Sequence, residues 1–333
     1  MLGRRDLLAQ GLAGLGLAAC APVAERRLVT VNLTTPAQPP PAEAPTLLET
    51  AFDAARRMTV PVTVQGRGPF QFVVDTGANR TVVSQELAAN LGLTPQGSLP
   101  VHGIAGVEPA PMFRLARLQV GGSFAYGVEA PALPASKLGA DGLLGVDALR
   151  NRRVSLDFRN NRFEIATSNK GAAMGRGDDT RLGDRGPQIF SVPARYRFGQ
   201  LVIVGADVAG APVSAFLDSG AQISVGNLAL KKAVLQMRPE LAERFVQTPL
   251  ISATGQTAMG EFAILPALRL GSLKIQRLVA VFADLHIFKL WQLEDRPAIL
   301  IGVDVLRQFD KVILDFGRRE VTFQAPEGRR SPR

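Results

Sequence analysis

Residues 72–78, FVVDTGA, and residues 215–221, AFLDSGA, decide how this chain folds. Each is an apolar strand that ends in Asp-Thr/Ser-Gly-Ala, and the two Asp residues are 143 positions apart, since 218 − 75 = 143. One such triplet carries little information, because all three residue types are common in turns. Its recurrence at the end of two apolar strands indicates an internal duplication.

Two more signals recur in the same order. Residues 143–147, LLGVD, match residues 300–304, LIGVD, and residues 154–158, VSLDF, match residues 312–316, VILDF. The spacings of these two pairs are 302 − 145 = 157 and 315 − 157 = 158, against 143 for the Asp residues. About one insertion in the second half accounts for this increase in spacing. A repeat this long predicts two paired lobes and not a solenoid.

These motifs resemble those of the retropepsin-like and pepsin-like aspartic peptidase superfamily, specifically bacterial proteins with two retropepsin-type lobes in one chain. The resemblance covers roughly residues 50–325. It implies an all-β fold of two tandem retropepsin-like (acid protease) β-barrel lobes with short helices, and an active site at the lobe interface. Each lobe would contribute one catalytic residue, Asp75 or Asp218. An apolar motif would pack beneath each catalytic loop: Leu143, Leu144 and Gly145, and Leu300, Ile301 and Gly302.

The chain departs from the family pattern in two ways. Viral members usually carry Arg after the Gly of the apolar motif, where this chain has Val146 and Val303, so their interface ion pair is not implied. We also find no convincing equivalent of the flap Tyr of pepsin-type members.

The companions of the two Asp residues support the loops. The hydroxyls of Thr76 and Ser219 are placed to bond across a pseudo-twofold axis. Gly77 and Gly220 let backbone amides approach the carboxylates without a Cβ clash, and Ala78 and Ala221 keep the loops compact.

Two other Asp pairs recur between the halves. Asp147 and Asp304 precede helical stretches and are interpreted as helix caps. Asp157 and Asp315 precede Phe in predicted strands and are interpreted as structural.

Peptide hydrolysis without a metal or a nucleophilic side chain requires one group to deprotonate water and another to protonate the substrate. Two adjacent carboxyls can do both, because they share one proton and their pKa values separate; this dyad is a standard worked case. Asp75 and Asp218 should therefore titrate as one coupled unit. We expect no cofactor and no metal, because the only histidines, His102 and His286, lie far apart in sequence.

A flap should close over bound peptide in such an enzyme. Glycine-containing segments that suit mobile hairpin tips occur in both halves. An ordinary exposed turn is the alternative for each. The candidate flap residues are His102, Gly103, Ile104, Ala105 and Gly106 in the first lobe, and Thr254 and Gly255 in the second.

Residues 1–20 are typical of an export signal, with a twin arginine at Arg4 and Arg5 and an apolar run over residues 7–19. Residues 17–20, LAAC, resemble a bacterial lipobox, so lipidated Cys20 would anchor the protein to a membrane. An ordinary secretory signal that leaves a free Cys20 is the alternative, as is the general export route. We expect a membrane-anchored lipoprotein of the bacterial cell envelope, facing the periplasm.

The remaining boundaries follow from composition. A Pro-rich tether is predicted for residues 21–50, an N-terminal lobe for 51–167, an interlobe linker for 168–187, a C-terminal lobe for 188–325 and a basic tail for 326–333. Two helical segments are also predicted: a short helix at residues 84–91 capped by Ser84, and a helical hairpin at 227–245 broken at Pro239. A further addition at 285–291 precedes the strand at Ile299. Burying core is favoured for the hairpin and for this addition, and bordering the substrate groove is the alternative for both.

Composition limits the partners. Lys and Arg number 38 against 29 Asp and Glu, but they are scattered and accompany no nucleic-acid motif, so we expect a solvated basic surface and no nucleic acid. Both Asp residues lie in one chain, so a monomer is expected.

The sequence thus predicts an aspartic-type endopeptidase that acts on extended peptide or protein segments. The alternatives are a noncatalytic envelope protein that binds a peptide or partner in the same groove, and a peptidase with one dedicated substrate.

Overall fold

A computed structural model describes residues 45–103, 106–168, 188–251 and 257–326. The described chain is mostly β, with short helices, and forms two lobes of the same topology, as predicted. The export signal, Cys20, most of the linker and almost all of the basic tail lie outside the described residues. In the described ranges, no helix combines the length and the apolar character needed to cross a bilayer.

The N-terminal lobe is built on one eight-stranded sheet in the order β2-β3-β4-β9-β5-β8-β7-β6, and an additional pairing of β3 with β7 closes it. Its interior is filled by β-branched and aromatic residues such as Val60, Val62 and Phe72, all with no exposed surface. The elements are β2 (Ala51–Phe52), β3 (Met58–Val64), β4 (Arg67–Val74), β5 (Val82–Ser84), α1 (Gln85–Asn90), β6 (Ser98–His102), β7 (Val107–Val120), β8 (Ser123–Leu133), α2 (Ala135–Leu138), β9 (Gly142–Leu144) and α3 (Val146–Leu149).

The C-terminal lobe repeats this order as β13-β14-β19-β15-β18-β17-β16, with a closing pairing of β13 and β17. The equivalence of the two strand orders establishes the duplication in three dimensions. The elements are β12 (Ile189–Arg197), β13 (Gln200–Val208), β14 (Ala211–Leu217), β15 (Val225–Gly226), α4 (Leu228–Met237), a 3₁₀ helix (Pro239–Arg244), β16 (Val246–Ile251), β17 (Thr257–Leu270), β18 (Leu273–Phe282), α5 (His286–Leu290), β19 (Ala298–Ile301) and α6 (Val303–Leu306).

A shared sheet joins the lobes, in the order β1-β11-β10-β20-β21-β12. Its central pair, β10 and β20, consists of the two copies of the third repeated motif, with Val154 opposite Leu314 and Leu156 opposite Val312. All four side chains are buried, so the lobes are joined through common core. The remaining strands are β1 (Thr46–Glu49), β10 (Arg152–Asp157), β11 (Arg162–Thr167), β20 (Lys311–Asp315) and β21 (Glu320–Gln324).

Strand β1 lies inside residues 21–50, the segment predicted to be a tether, so the first strand begins earlier in the chain than predicted. Thr46 to Glu49 pair antiparallel with β11, and Leu48 packs against the core. The many prolines of residues 21–50 suggested extended, unpaired backbone for the whole segment. The last of them is Pro45, however, and the strand begins directly after it. The short alternation that follows it is sufficient for an edge strand.

The two predicted helical segments are confirmed. Helix α1 begins after Ser84, whose Oγ accepts a hydrogen bond from Leu87 N at 2.9 Å. The break at Pro239 separates α4 from the 3₁₀ helix. The addition at residues 285–291 contains α5 and buries core. Trp291 is 3% exposed, and its ring lies 4.5 Å from that of Phe216.

Candidate active site

The two Asp-Thr/Ser-Gly loops follow β4 and β14, and each strand is paired in parallel with the apolar motif of its own lobe. Val73 lies opposite Leu143, and Phe216 lies opposite Leu300. Asp75 N donates to Leu144 O at 3.0 Å, and Asp218 N donates to Ile301 O at 2.9 Å. The apolar motifs therefore lie directly beside the strands that position the carboxyls.

The loops cross and bond to each other through their hydroxyl residues. Thr76 Oγ1 accepts from Ser219 N at 3.0 Å and donates to Leu217 O at 2.9 Å. Ser219 Oγ accepts from Thr76 N at 3.1 Å and donates to Val74 O at 2.7 Å. These four reciprocal bonds, buried from water, hold the loops in one register across the pseudo-twofold axis.

Each carboxyl is oriented by its own loop. Asp75 Oδ1 accepts from the amides of Gly77 and Ala78, both at 2.9 Å. Asp218 Oδ1 accepts from the amides of Gly220 and Ala221, both at 3.0 Å. The second oxygen of each carboxyl is thereby left to face the opposite Asp or a substrate.

The glycines are required for a different reason from the one the sequence suggested. A Cβ built on Gly77 would lie within 2.6 Å of the carboxyl atoms of Asp218, and a Cβ on Gly220 would lie 2.5 Å from Asp75 Oδ1. Real Cβ atoms do not approach this closely. Each glycine therefore makes room for the carboxyl of the other lobe, and this contact brings the two Asp residues together.

The pair has perturbed acidities. Burial, reinforced by the negative charge of Asp75, raises the pKa of Asp218 to about 7. Burial also raises the pKa of Asp75, against the opposing effect of the amides of Gly77 and Ala78. Between their two pKa values the carboxyls hold one proton between them, which lets one act as a base while the other acts as an acid.

A second hydroxyl in each half, which the sequence analysis missed, supports the loops from below. Thr81 Oγ1 accepts from Gly145 N at 3.2 Å and donates to Asp147 Oδ1 at 2.7 Å. Ser224 Oγ accepts from Gly302 N at 3.0 Å and donates to Asp304 at 2.8 Å. Thr81 and Ser224 each lie six residues after the loop Asp, and this repeated spacing was the available signal.

The helix-cap interpretation of Asp147 and Asp304 is therefore wrong. The residues that cap α3 and α6 are Gly145 and Gly302, and neither helix has a side-chain cap. The two carboxylates bind loop hydroxyls far away in sequence, with burial raising the pKa of Asp304. Asp157 and Asp315 are structural, as interpreted: each accepts a turn amide, from Asn160 and Arg318 respectively.

The candidate flaps are parts of two equivalent hairpins, β6–β7 and β16–β17. Gly103 N donates to Gly106 O at 2.8 Å at the tip of the first hairpin. Ile104, Ala105, Thr254 and Gly255 lie outside the described residues.

The fold brings together two histidines that are 184 residues apart. His102, at the end of β6, has its Nδ1 2.9 Å from Nε2 of His286, the first residue of α5 in the other lobe. The rings are parallel to within 2° with centroids 5.2 Å apart, so they meet edge to edge, and the nitrogens share a hydrogen bond. This contact links the first hairpin to the opposite lobe. Burial, followed by the neighbouring His286, lowers the pKa of His102.

One asymmetry separates the two sides of the site. Buried Arg57 donates to Asp53 at 2.6 Å and to Leu138 O at 2.5 Å, and its charge lowers the pKa of both loop Asp residues. The residue 143 positions later is Gln200, which is neutral and donates to Gly77 O at 3.0 Å. Neither residue belongs to a repeated motif, so neither could be singled out from the sequence.

Two family models match the chain. One, described as "gag-polyprotein putative aspartyl protease", matches residues 60–151, and the other, described as "Aspartyl protease", matches residues 204–305. No curated protein matches the sequence. Each family match contains one of the crossed Asp loops and the apolar motif beneath it, so the chain belongs to the retropepsin-like aspartyl protease superfamily, with two tandem lobes.

Proposed function

We propose that the protein is an aspartic endopeptidase with Asp75 and Asp218 as its catalytic dyad. The observation that carries this proposal is the pair of crossed loops, in which each carboxyl is held by two amides and lies against the glycine of the other lobe. An Asp in an ordinary turn has no need of a second carboxyl at this position. Two buried carboxyls that compete for one proton are costly to maintain, and such pairs concentrate at catalytic sites.

The proposed chemistry uses the shared proton. The ionised carboxylate takes a proton from a water molecule while the protonated carboxyl gives its proton to the peptide carbonyl oxygen, and the water oxygen bonds to the carbonyl carbon. A proton then passes from the dyad to the amide nitrogen while a hydroxyl of the tetrahedral intermediate returns a proton to the dyad, so the C–N bond breaks and an acid and an amine leave. The dyad ends with one proton, as it began, so no cofactor or metal is required.

The substrate class follows from the shape of the site. The two lobes meet at the dyad, and each carries a β hairpin, β6–β7 or β16–β17, of the kind that closes over a bound chain. Grooves of this type bind extended peptide by main-chain hydrogen bonds, with alternate side chains in pockets. We therefore propose extended peptide or unfolded protein segments as substrates.

One chain supplies both Asp loops. Both Asp loops and the shared sheet lie within residues 45–326, so we propose that a monomer is active. We further propose export through the twin-arginine route, lipidation at Cys20 and a position at the periplasmic face of a membrane. This part rests on residues 1–20 of the sequence alone.

The test is cleavage of a diverse peptide mixture by residues 42–333, which form one compact unit, from about pH 3 to pH 8. Asp75→Asn and Asp218→Asn should each abolish cleavage. Asp157→Asn, which alters a structural Asp outside the dyad, should leave cleavage intact. Cleavage that survives both dyad substitutions would refute the mechanism, whereas peptide retention without cleavage by any form would favour the noncatalytic binding alternative.

A further inference from the structure

An exposed aromatic pair lies on the outer side of the N-terminal lobe. Phe124 and Tyr126 on β8 are 42% and 70% exposed, and their rings stack with centroids 6.2 Å apart. The guanidinium of Arg117 lies 5.9 Å from the centre of the Phe124 ring. Large aromatic side chains this exposed, at adjacent positions on one strand face, commonly mark a contact surface.

The duplication indicates that the fold does not require these rings. The turn after β7, Gly121-Gly122, corresponds to Gly271-Ser272 in the C-terminal lobe, 150 residues later. At the same spacing, Phe124 corresponds to Lys274 and Tyr126 to Gln276, and the strand registers agree with this equivalence. The C-terminal lobe forms the same hairpin with two polar residues, so the aromatic pair serves another purpose.

Arginines that are scattered in the sequence gather around the pair. Arg80, Arg114, Arg117 and Arg150 are exposed there, and Arg80 and Arg150 line an open depression of about 450 Å³ beside Tyr126. The one exposed acid of this depression, Glu129, is paired with Arg80 at 3.2 Å. The face formed by Phe124, Tyr126 and these four arginines, called here the aromatic–arginine face, is therefore positively charged.

The described chain enters the fold beside this face. Thr46 Oγ1 accepts a hydrogen bond from Gly122 N at 3.1 Å, two residues before Phe124. If Cys20 carries a lipid, the 25 residues that separate it from Thr46 would span at most ~85 Å, which is long enough to leave the body unoriented. A second contact near the point of entry would fix the orientation.

We propose that the aromatic–arginine face docks the protein on an anionic lipid bilayer. The Tyr126 ring, with its polar tip, favours the headgroup region, and the Phe124 ring adds apolar surface at the boundary with the acyl chains. Arginines near an anionic surface are attracted to it. The absence of any nucleic-acid motif in the sequence and the entry of the N-terminal segment at this point favour a bilayer over a polynucleotide. Neither ring and none of the four arginines belongs to the two Asp-Thr/Ser-Gly-Ala loops, so the proposed role does not depend on peptidase activity.

The experiment is co-sedimentation of residues 42–333 with vesicles of phosphatidylcholine alone or mixed with phosphatidylglycerol. We expect binding to the anionic vesicles only, weakened by salt. The double variants Phe124→Ser/Tyr126→Ser and Arg114→Gln/Arg117→Gln should each reduce partitioning about tenfold or more, since each removes one of the two attractive contributions.

The matched control is Lys274→Ser/Gln276→Ser, which alters the equivalent positions of the C-terminal lobe and should leave partitioning within about twofold. This control also removes one positive charge, so if net charge alone determined partitioning, the control would partition more weakly as well. The proposal is overturned by failure of the unsubstituted protein to bind anionic vesicles, by equal binding to neutral ones, or by partitioning that the aromatic double variant does not change. Because both rings are exposed, these substitutions should leave the thermal unfolding midpoint unchanged, and this is measured alongside.

Discussion

Replacement of Asp218 by Asn should stabilise the protein at alkaline pH and leave its stability unchanged in acid. Burial and the charge of Asp75 raise the pKa of Asp218 from its ordinary value of 3.8 to about 7. The folded protein therefore holds a proton that the unfolded chain has lost between these two values, and the free energy of unfolding falls as pH rises through this interval. Above pH 7 the full penalty for the ionised carboxylate is present.

The size of the effect follows from the interval between the two pKa values. Each tenfold change in proton affinity corresponds to about 1.4 kcal/mol, so the penalty is on the order of 4 kcal/mol at pH 8 and is absent at pH values below 4. Asn keeps the Oδ1 acceptor for the amides of Gly220 and Ala221 and has no charge to bury. The variant should therefore melt up to about 10 °C higher than the unsubstituted protein at pH 8.

The assay is thermal unfolding of residues 42–333 and of the Asp218→Asn variant across about pH 3.5 to pH 8. Asp157→Asn serves as a control with the opposite effect. Burial acts to raise the pKa of Asp157, but hydrogen bonds from Asn160 and from Lys311 outweigh burial and lower it. Its loss should destabilise the protein near neutral pH, with the difference disappearing in acid. Parallel curves for Asp218→Asn and the unsubstituted protein would show that the two carboxyls are not buried against each other, and the proposed dyad would be refuted.

Three more predictions concern individual contacts. Gly77→Ala should displace the facing carboxyl by about 1 Å and lower kcat/KM on cleaved peptides about 100-fold. Gly205→Ala is the control: its Cβ would meet no atom within 4 Å, so it strains only its own backbone at a φ of +73° and should leave kcat/KM unchanged. Equal effects on kcat/KM would contradict the close approach. Ser224→Ala removes the hydroxyl that bonds to Gly302 N and Asp304, and should lower the free energy of unfolding, measured in urea, by about 1–3 kcal/mol. An unchanged urea midpoint would argue against a supporting role for this hydroxyl. His286→Ala should raise the pKa of His102 in an NMR titration of its ring, and an unaltered titration would show that the rings do not meet.

The sequence was sufficient to predict the parts of the fold whose motifs occur in both halves of the chain. The strand before Asp75, the apolar motif at Leu143 and the strand at Val154 have counterparts in the same order, and their pairings in the structure follow that order. Local signals were also sufficient for α1, because Ser84 caps it from the adjacent position.

Contacts between distant segments could not be predicted in the same way. A helical stretch after Asp147 was expected and favoured a cap, but α3 already begins at Val146, and the partner of Asp147, Thr81, lies 66 residues earlier, where only the folded lobe brings them together. His102 and His286 belong to different lobes and carry no shared motif. The arginines of the aromatic–arginine face are separated in sequence for the same reason, since they come from a loop, a strand and a helix end.

The contrast between Arg57 and Gln200 has a consequence for the way such a site can evolve. In a symmetric homodimer every substitution occurs on both sides of the twofold axis, so the two carboxyls must have identical surroundings. A duplicated chain is free of this constraint: here one side has a buried cation and the other a neutral amide that holds the Gly77 loop. The two Asp residues are consequently distinguishable before any substrate arrives, and a substitution on one side can change the acidity of the dyad without a matching substitution on the other.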